Sequence, residues 1–121
     1  MRFMTLIKHP KDYEGQQVPP ALYEAMGKFV EEYAKKGAFL DGAGLKPLTQ
    51  ATRVRLAGGK IQVVDGPFAE AKEVVGGYAL CELETREEAV ELATRFMELH
   101  RTHWPEFEGE CELRPLEDGE D

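Results

Sequence analysis

An α+β domain in the order βαβ, hairpin, βαβ is predicted from three observations. Two stretches carry apolar residues at helical spacing, and strand-like apolar runs flank each of them. Between these units, residues 52–56 and 60–64 alternate apolar and polar side chains across Ala57-Gly58-Gly59, the pattern of a hairpin. No linker, low-complexity segment or internal repeat divides the 121 residues, a length that suits one domain of about 100–200 residues.

The elements follow in order. Residues 2–8 read as a strand, with Phe3, Leu6 and Ile7 giving it apolar bulk on both faces. His9-Pro10, Gly15 and Pro19-Pro20 mark residues 9–19 as a loop. A helix begins near Pro20, where a first-turn proline is tolerated, and runs to Lys36. Its buried stripe is Leu22, Met26, Phe29 and Tyr33; Lys35 and Lys36 suit the negative end of its dipole, and Gly37 fits the left-handed stop. Residues 38–45 form a second strand, interrupted by Gly42 and Gly44 and closed by Pro47.

After the hairpin and the turn at Asp65-Gly66-Pro67, residues 74–84 make the longest strand, with Gly76-Gly77 inside it. Thr85-Arg86-Glu87-Glu88 is a capping box that opens the second helix. That helix is expected to bury Ala89, Leu92, Ala93, Phe96 and Leu99 and to pair Glu91 with Arg95 on its surface. Trp104-Pro105 turns the chain into a last strand, 110–116, with Cys111 and Leu113 on one face.

Two βαβ units sharing one antiparallel sheet give a ferredoxin-like domain with both helices on one face. Strands 3–7 and 74–83 nevertheless carry apolar side chains on both faces. A two-fold partner covering the bare face is therefore expected, making the protein a homodimer.

Composition narrows the function classes. Net charge is −8, of which residues 106–121, with eight acids and one base, carry −7. The domain is assigned to residues 1–116 and an acidic, solvated tail to 117–121. No basic face exists for a phosphate backbone, which excludes nucleic acid as a partner. No apolar run approaches the ~20 residues that cross a bilayer, and the N-terminal apolar run is too short for a signal-peptide core, so the expected compartment is the cytoplasm without a membrane partner. There Cys81 and Cys111 are expected as free thiols.

Residues 65–78 concentrate the candidate site. Gly66 and Pro67 end the strand, and Glu70, Lys72 and Glu73 put two carboxylates and an ammonium on one short loop between apolar strands. Asp65 and Glu70 are the candidate acid–base residues, and Asp65 can equally serve its own turn by bonding nearby amides. Arg55, Gly66, Pro67, Phe68, Lys72, Glu73, Gly76 and Gly77 are the candidate ligand contacts. A glycine pair inside a strand fits a bulge or a close approach to the backbone.

Arg53 and Arg55 share one hairpin face, either for bidentate carboxylate recognition or for pairing with Glu110 or Glu112. His100 and His103 have ligand-like spacing but no third ligand, so no metal and no cofactor are assigned. There is no phosphate loop, nucleophile elbow or HExxH run. These residues point to a small polar or anionic molecule. The alternative is a non-catalytic interaction module using its acidic tail or a strand edge.

Several segments resemble one family. They are Gly42-Ala43-Gly44-Leu45-Lys46-Pro47, Val54-Arg55, the unbroken run Asp65-Gly66-Pro67-Phe68-Ala69-Glu70-Ala71-Lys72-Glu73, Gly76-Gly77-Tyr78 and Glu112-Leu113-Arg114-Pro115. Together they resemble the YCII-related proteins, in the subgroup marked by the Asp-Gly-Pro-Phe motif. The resemblance implies ferredoxin-like subunits paired into a dimeric α/β barrel, and genes often found near extracytoplasmic-function sigma factors. The wider group is associated with a His–Asp pair in a pocket. The helix read over 22–36 contains no histidine, and His9 precedes it, so that role is not carried over.

Overall fold

In the computed structural model the described residues are 1–10, 13, 16–68 and 70–117. The acidic tail beyond Glu117 lies outside them. The chain is α+β: β1 (Arg2–Pro10), α1 (Pro20–Lys35), β2 (Phe39–Gly44), β3 (Thr52–Ala57), β4 (Lys60–Asp65), β5 (Glu73–Glu82), α2 (Arg86–His103) and β6 (Glu110–Pro115). A short 3-10 turn, Leu48–Gln50, precedes β3.

Four strands form the main sheet in the order β2-β5-β1-β6, with every neighbouring pair antiparallel. This arrangement is compatible with a ferredoxin-like fold. β3 and β4 pair only with each other, in a separate two-stranded sheet. No helix among the described residues is long and apolar enough to cross a membrane.

The capping signals act as local chemistry requires. Gly37, at φ 76°, ends α1; its N–H donates to the Ala34 carbonyl, and the Ala38 N–H donates to the Tyr33 carbonyl. This double bond pattern satisfies carbonyls that the helix end would leave bare. At the start of α2, the Glu88 N–H donates to Thr85 Oγ1 at 3.1 Å, as the capping box requires. The Glu88 carboxylate accepts from the N–H of Glu84, one residue earlier than the Thr85 N–H expected.

Both helices pack on the sheet face that carries Phe3, Thr5, Ala79 and Cys81. Phe29, Tyr33, Ala38, Cys81 and Leu92 form the core, and Phe3, Leu22 and Cys81 are fully buried. Met26, Phe96 and Leu99, expected among the buried residues, are only half-buried. Met26 and Phe96 border a cavity described below. Arg95 does not join Glu91; it reaches the other helix, donating to Glu32 at 3.1 Å and to the Tyr33 hydroxyl at 2.6 Å. An interhelical bridge replaces the expected surface pair because α1 runs alongside α2.

β1 is two residues longer than the sequence reading, which closed it at Lys8. His9 and Pro10 pair with Val74 and Glu73 of β5. The register slips between Ile7 and Lys8: Ile7 faces Gly77 and Lys8 faces Val75, leaving Gly76 as an extra residue in a bulge. Gly77 meets a different constraint, since a β-carbon there would stand 3.1 Å from the Ala43 carbonyl oxygen on β2.

Candidate functional site

The apolar faces of the sheet and helices do not close completely. They leave a cavity of about 640 Å³ between Thr5 and Ile7 on β1, Leu22, Met26 and Phe29 on α1, and Phe96 and His100 on α2. Its lining is mainly apolar. Exposed residues Tyr23, Gly44 and Lys46 mark its mouth. Lys46 has no ion-pair partner among the described residues.

His9 stands at this mouth because β1 continues past Lys8. Its Nδ1 is 2.9 Å from the Pro10 carbonyl oxygen, which can only accept, so Nδ1 carries a proton and, in the neutral ring, Nε2 has the lone pair. The ring lies over the bulge: a β-carbon on Gly76 would be 2.8 Å from His9 Nε2. Tyr13 and Phe107 meet the imidazole edge-on, each 6.2 Å away between ring centroids. Tyr13 also packs on Trp104 and Phe107, and its hydroxyl donates to the Glu106 carbonyl. An aromatic wall drawn from the 9–19 and 104–109 connections thus holds the histidine.

His100 lines the inner wall and is buried, its ring 4.9 Å from Phe107. Its Nδ1 donates to the Phe96 carbonyl at 3.1 Å. Burial pushes its pKa below the ordinary imidazole value, keeping the ring neutral. Cys81 and Cys111 lie on the same inner wall as free thiols. Burial, with Cys81 as the secondary cause, pushes the Cys111 thiol up to about 11. Among the described residues no group of three His, Cys, Asp or Glu side chains could hold a metal ion.

The Asp65–Glu73 loop is built differently. The Gly66–Pro67 peptide bond is cis. The Gly66 N–H donates to the Ala51 carbonyl at 3.0 Å, and a β-carbon on Gly66 would come within 2.5 Å of the Leu48 carbonyl oxygen. Phe68 is buried beneath the Arg53 guanidinium, which stands 3.6 Å from its ring centroid. Arg53 also binds Glu70 at 2.8 Å. The Glu70 carboxyl is held below the usual range, chiefly by its own backbone N–H and then by Arg53. Asp65 accepts a hydrogen bond from Thr52 Oγ1 at 3.0 Å, across the hairpin base.

The sequence-chosen residues therefore separate into two sets. Gly76 and Gly77 line the cavity; Arg55, Asp65, Gly66, Pro67, Phe68, Glu70, Lys72 and Glu73 do not. Glu73 reaches back to Lys8 at 3.4 Å, while Lys72 and Arg55 are exposed. Arg53 and Arg55 do share a hairpin face. The expected pairing with Glu110 or Glu112 does not occur: Arg53 takes Glu70, and Glu112 is held by Lys8 at 2.8 Å and Arg114 at 3.2 Å.

His9, Lys46 and the aromatic wall were not among the chosen site residues. The signal available for His9 was its one-residue distance from an apolar strand and the need for something to lie over a strand-interior glycine.

Two comparisons bear on this geometry. The profile of the YCII-related domain matches residues 1–99, a span containing His9, Lys46 and the whole Asp65–Glu73 loop and ending within α2. An uncharacterized protein of Rhizobium meliloti (strain 1021) is similar, with 33% identity over 85 residues. That match covers 70% of this chain and 64% of the relative, so the chain spans less than two thirds of that protein's length.

Proposed function

The chain belongs to the YCII-related domain family, and from that premise we propose that it is a cytoplasmic small-molecule-binding homodimer of the Asp-Gly-Pro-Phe subgroup, working by cofactor-free proton transfer. The observation carrying this reading is the cavity with His9 at its mouth. A volume of about 640 Å³ is within the ~300–1,000 Å³ typical of ligand pockets, and a few polar groups converging on an apolar interior are what such sites require. The interior suits an aromatic or short aliphatic body. Lys46, an ammonium without an ion-pair partner among the described residues, suits an anionic head such as a carboxylate.

His9 is the residue best fitted for acid–base work. Its Nδ1–H is fixed by Pro10, and its Nε2 lone pair is available to take a proton from a bound molecule. Asp65 and Glu70 are the less favoured bases. Asp65 already accepts from Thr52, and its own backbone N–H, followed by the Arg53 ion pair, favours the charged form of Glu70, a poorer base. The loop serves better as the anchor joining the hairpin to the sheet.

The test is thermal stabilisation by aryl and short-chain alkyl carboxylates, each beside its neutral amide, because native-state binding raises apparent stability. Carboxylates are expected to stabilise the wild type, His9→Ala and Lys46→Gln to respond less, and the amides to act weakly. Equal responses from wild type and both variants would defeat the assignment.

A further inference from the structure

The β3–β4 hairpin leaves its apolar face uncovered. Val54 pairs with Val63 and Leu56 with Ile61, so all four point to the same side, at 69, 70, 71 and 72% exposure respectively. Six paired residues per strand make an arm about 20 Å long, and a two-stranded hairpin alone is at best marginally stable. The arm is fixed at its root by Gly66–Ala51 and Thr52–Asp65 bonds, while its other face carries Arg53, Arg55 and Lys60. An ordered projection with one side apolar beyond its Thr52–Asp65 root requires a cover.

A matching surface lies on the main sheet. Met4 pairs with Leu80 and Leu6 with Tyr78, and this band faces away from the helices. Of the charges bordering the band, Lys8 is met by Glu112 and Glu73 and Arg114 by Glu112, while Asp41 beside Leu80 and Glu110 beside Lys8 stand at its margins. The four side chains of the band carry no charge themselves and suit an apolar, projecting partner. The arm's apolar side is such a surface, its one acid, Asp65, being engaged at the root.

We infer that the arm of each chain docks on the Met4–Leu6–Tyr78–Leu80 band of a second copy, reciprocally about a two-fold axis. This rests on the homodimer proposed above and adds which surfaces meet. Two such contacts would bury on the order of 1,500 Å², near the area of a stable interface. Carrying net charge −8, two copies repel, and docking one apolar patch on another keeps that charge at the rim of the contact.

The experiment is sedimentation equilibrium on the wild type and on a Leu56→Lys/Ile61→Glu variant. The substituted positions face each other, so the hairpin retains a favourable cross-strand pair while its apolar face becomes charged. A dimeric wild type with dimerisation weakened ~100-fold in a variant of unchanged circular dichroism is expected. A monomeric wild type would defeat both homodimer and arm; an equally tight variant dimer would defeat the arm alone.

Oxidative cross-linking identifies the surfaces. An equimolar mixture of Leu56→Cys and Tyr78→Cys chains should give a mixed disulfide that neither chain gives alone. Arm-to-arm or sheet-to-sheet disulfides in the unmixed samples, or no disulfide in any, would overturn the docking.

Discussion

The imidazole of His9 occupies space that any side chain on Gly76 would need, since a β-carbon there would stand 2.8 Å from Nε2. The bulge and the histidine are one device: the extra residue must be glycine for the ring to lie at the cavity mouth. Gly76→Ala should therefore act mainly on His9. The ring sits at a strand end and can swing away, so we expect a stability loss below about 1 kcal/mol, at the low end of overpacking effects. Carboxylate-induced thermal stabilisation should fall as far as in His9→Ala. Full stabilisation in Gly76→Ala would separate ring position from binding.

The loop after β4 should behave as a structural anchor. Phe68 is buried under Arg53, so Phe68→Ala is expected to cost roughly 3 kcal/mol. Gly66→Ala drives a carbon against the Leu48 backbone, which cannot rotate away, and should cost about 1–3 kcal/mol. Lys72→Ala, at an exposed position, should change stability by less than ~0.5 kcal/mol. Urea unfolding of the three variants checks this order.

Acid sensitivity should trace to His100. Burial lowers its folded-state pKa below the 6.5 of the unfolded chain. Above pH 6.5 both states are neutral and the group has no effect. As pH falls below that point the unfolded state takes up the proton first, so stability drops until the folded pKa is reached. The slope from this one group is at most ~1.4 kcal/mol per pH unit. His100→Gln, which can still donate to Phe96 but stays neutral, should flatten that part of the curve in denaturant titrations.

The two cysteines should be poor nucleophiles while the protein is folded. Burial raises the Cys81 thiol, and the Cys111 thiol is pushed up to about 11. Iodoacetamide at pH 8 should label the native protein roughly 100-fold more slowly than the denatured chain, because the thiolate is the reacting form. Labelling followed by mass measurement decides the point.

The regular elements were largely legible. Apolar spacing along α1, the Gly37 stop, the Thr85 cap and the hairpin alternation are local signals, and each appears where the sequence put it. The site was less legible because its parts are brought together by long-range pairing. His9 and Pro10 read as a loop, yet pairing with Val74 and Glu73 carries β1 past them. The dense charge of Glu70, Lys72 and Glu73 marks a loop whose two carboxylates are taken up by Arg53 and Lys8. The cavity owes its polarity to single residues from distant segments, which no spacing rule connects. Arg95 shows the same limit: its sequence neighbour Glu91 was an adequate partner, and Glu32 on the other helix took the contact.

The supernumerary glycine also sets the phase of the strand that precedes it. Counting back by twos from Cys81 through Ala79 and Gly77 would turn Val75 inward and Val74 out; instead Val74 is 4% exposed and Val75 37%. A chain shortened by Gly76 alone would lose the bulge yet keep Val75 opposite Lys8 and Val74 opposite His9, whereas loss of one residue elsewhere in β5 would exchange inside and outside on one side of the cut. Insertions and deletions elsewhere in β5 should therefore be tolerated in pairs and rejected singly, with Gly76 the one residue whose loss leaves both faces in phase, a parity rule that no single substitution would expose.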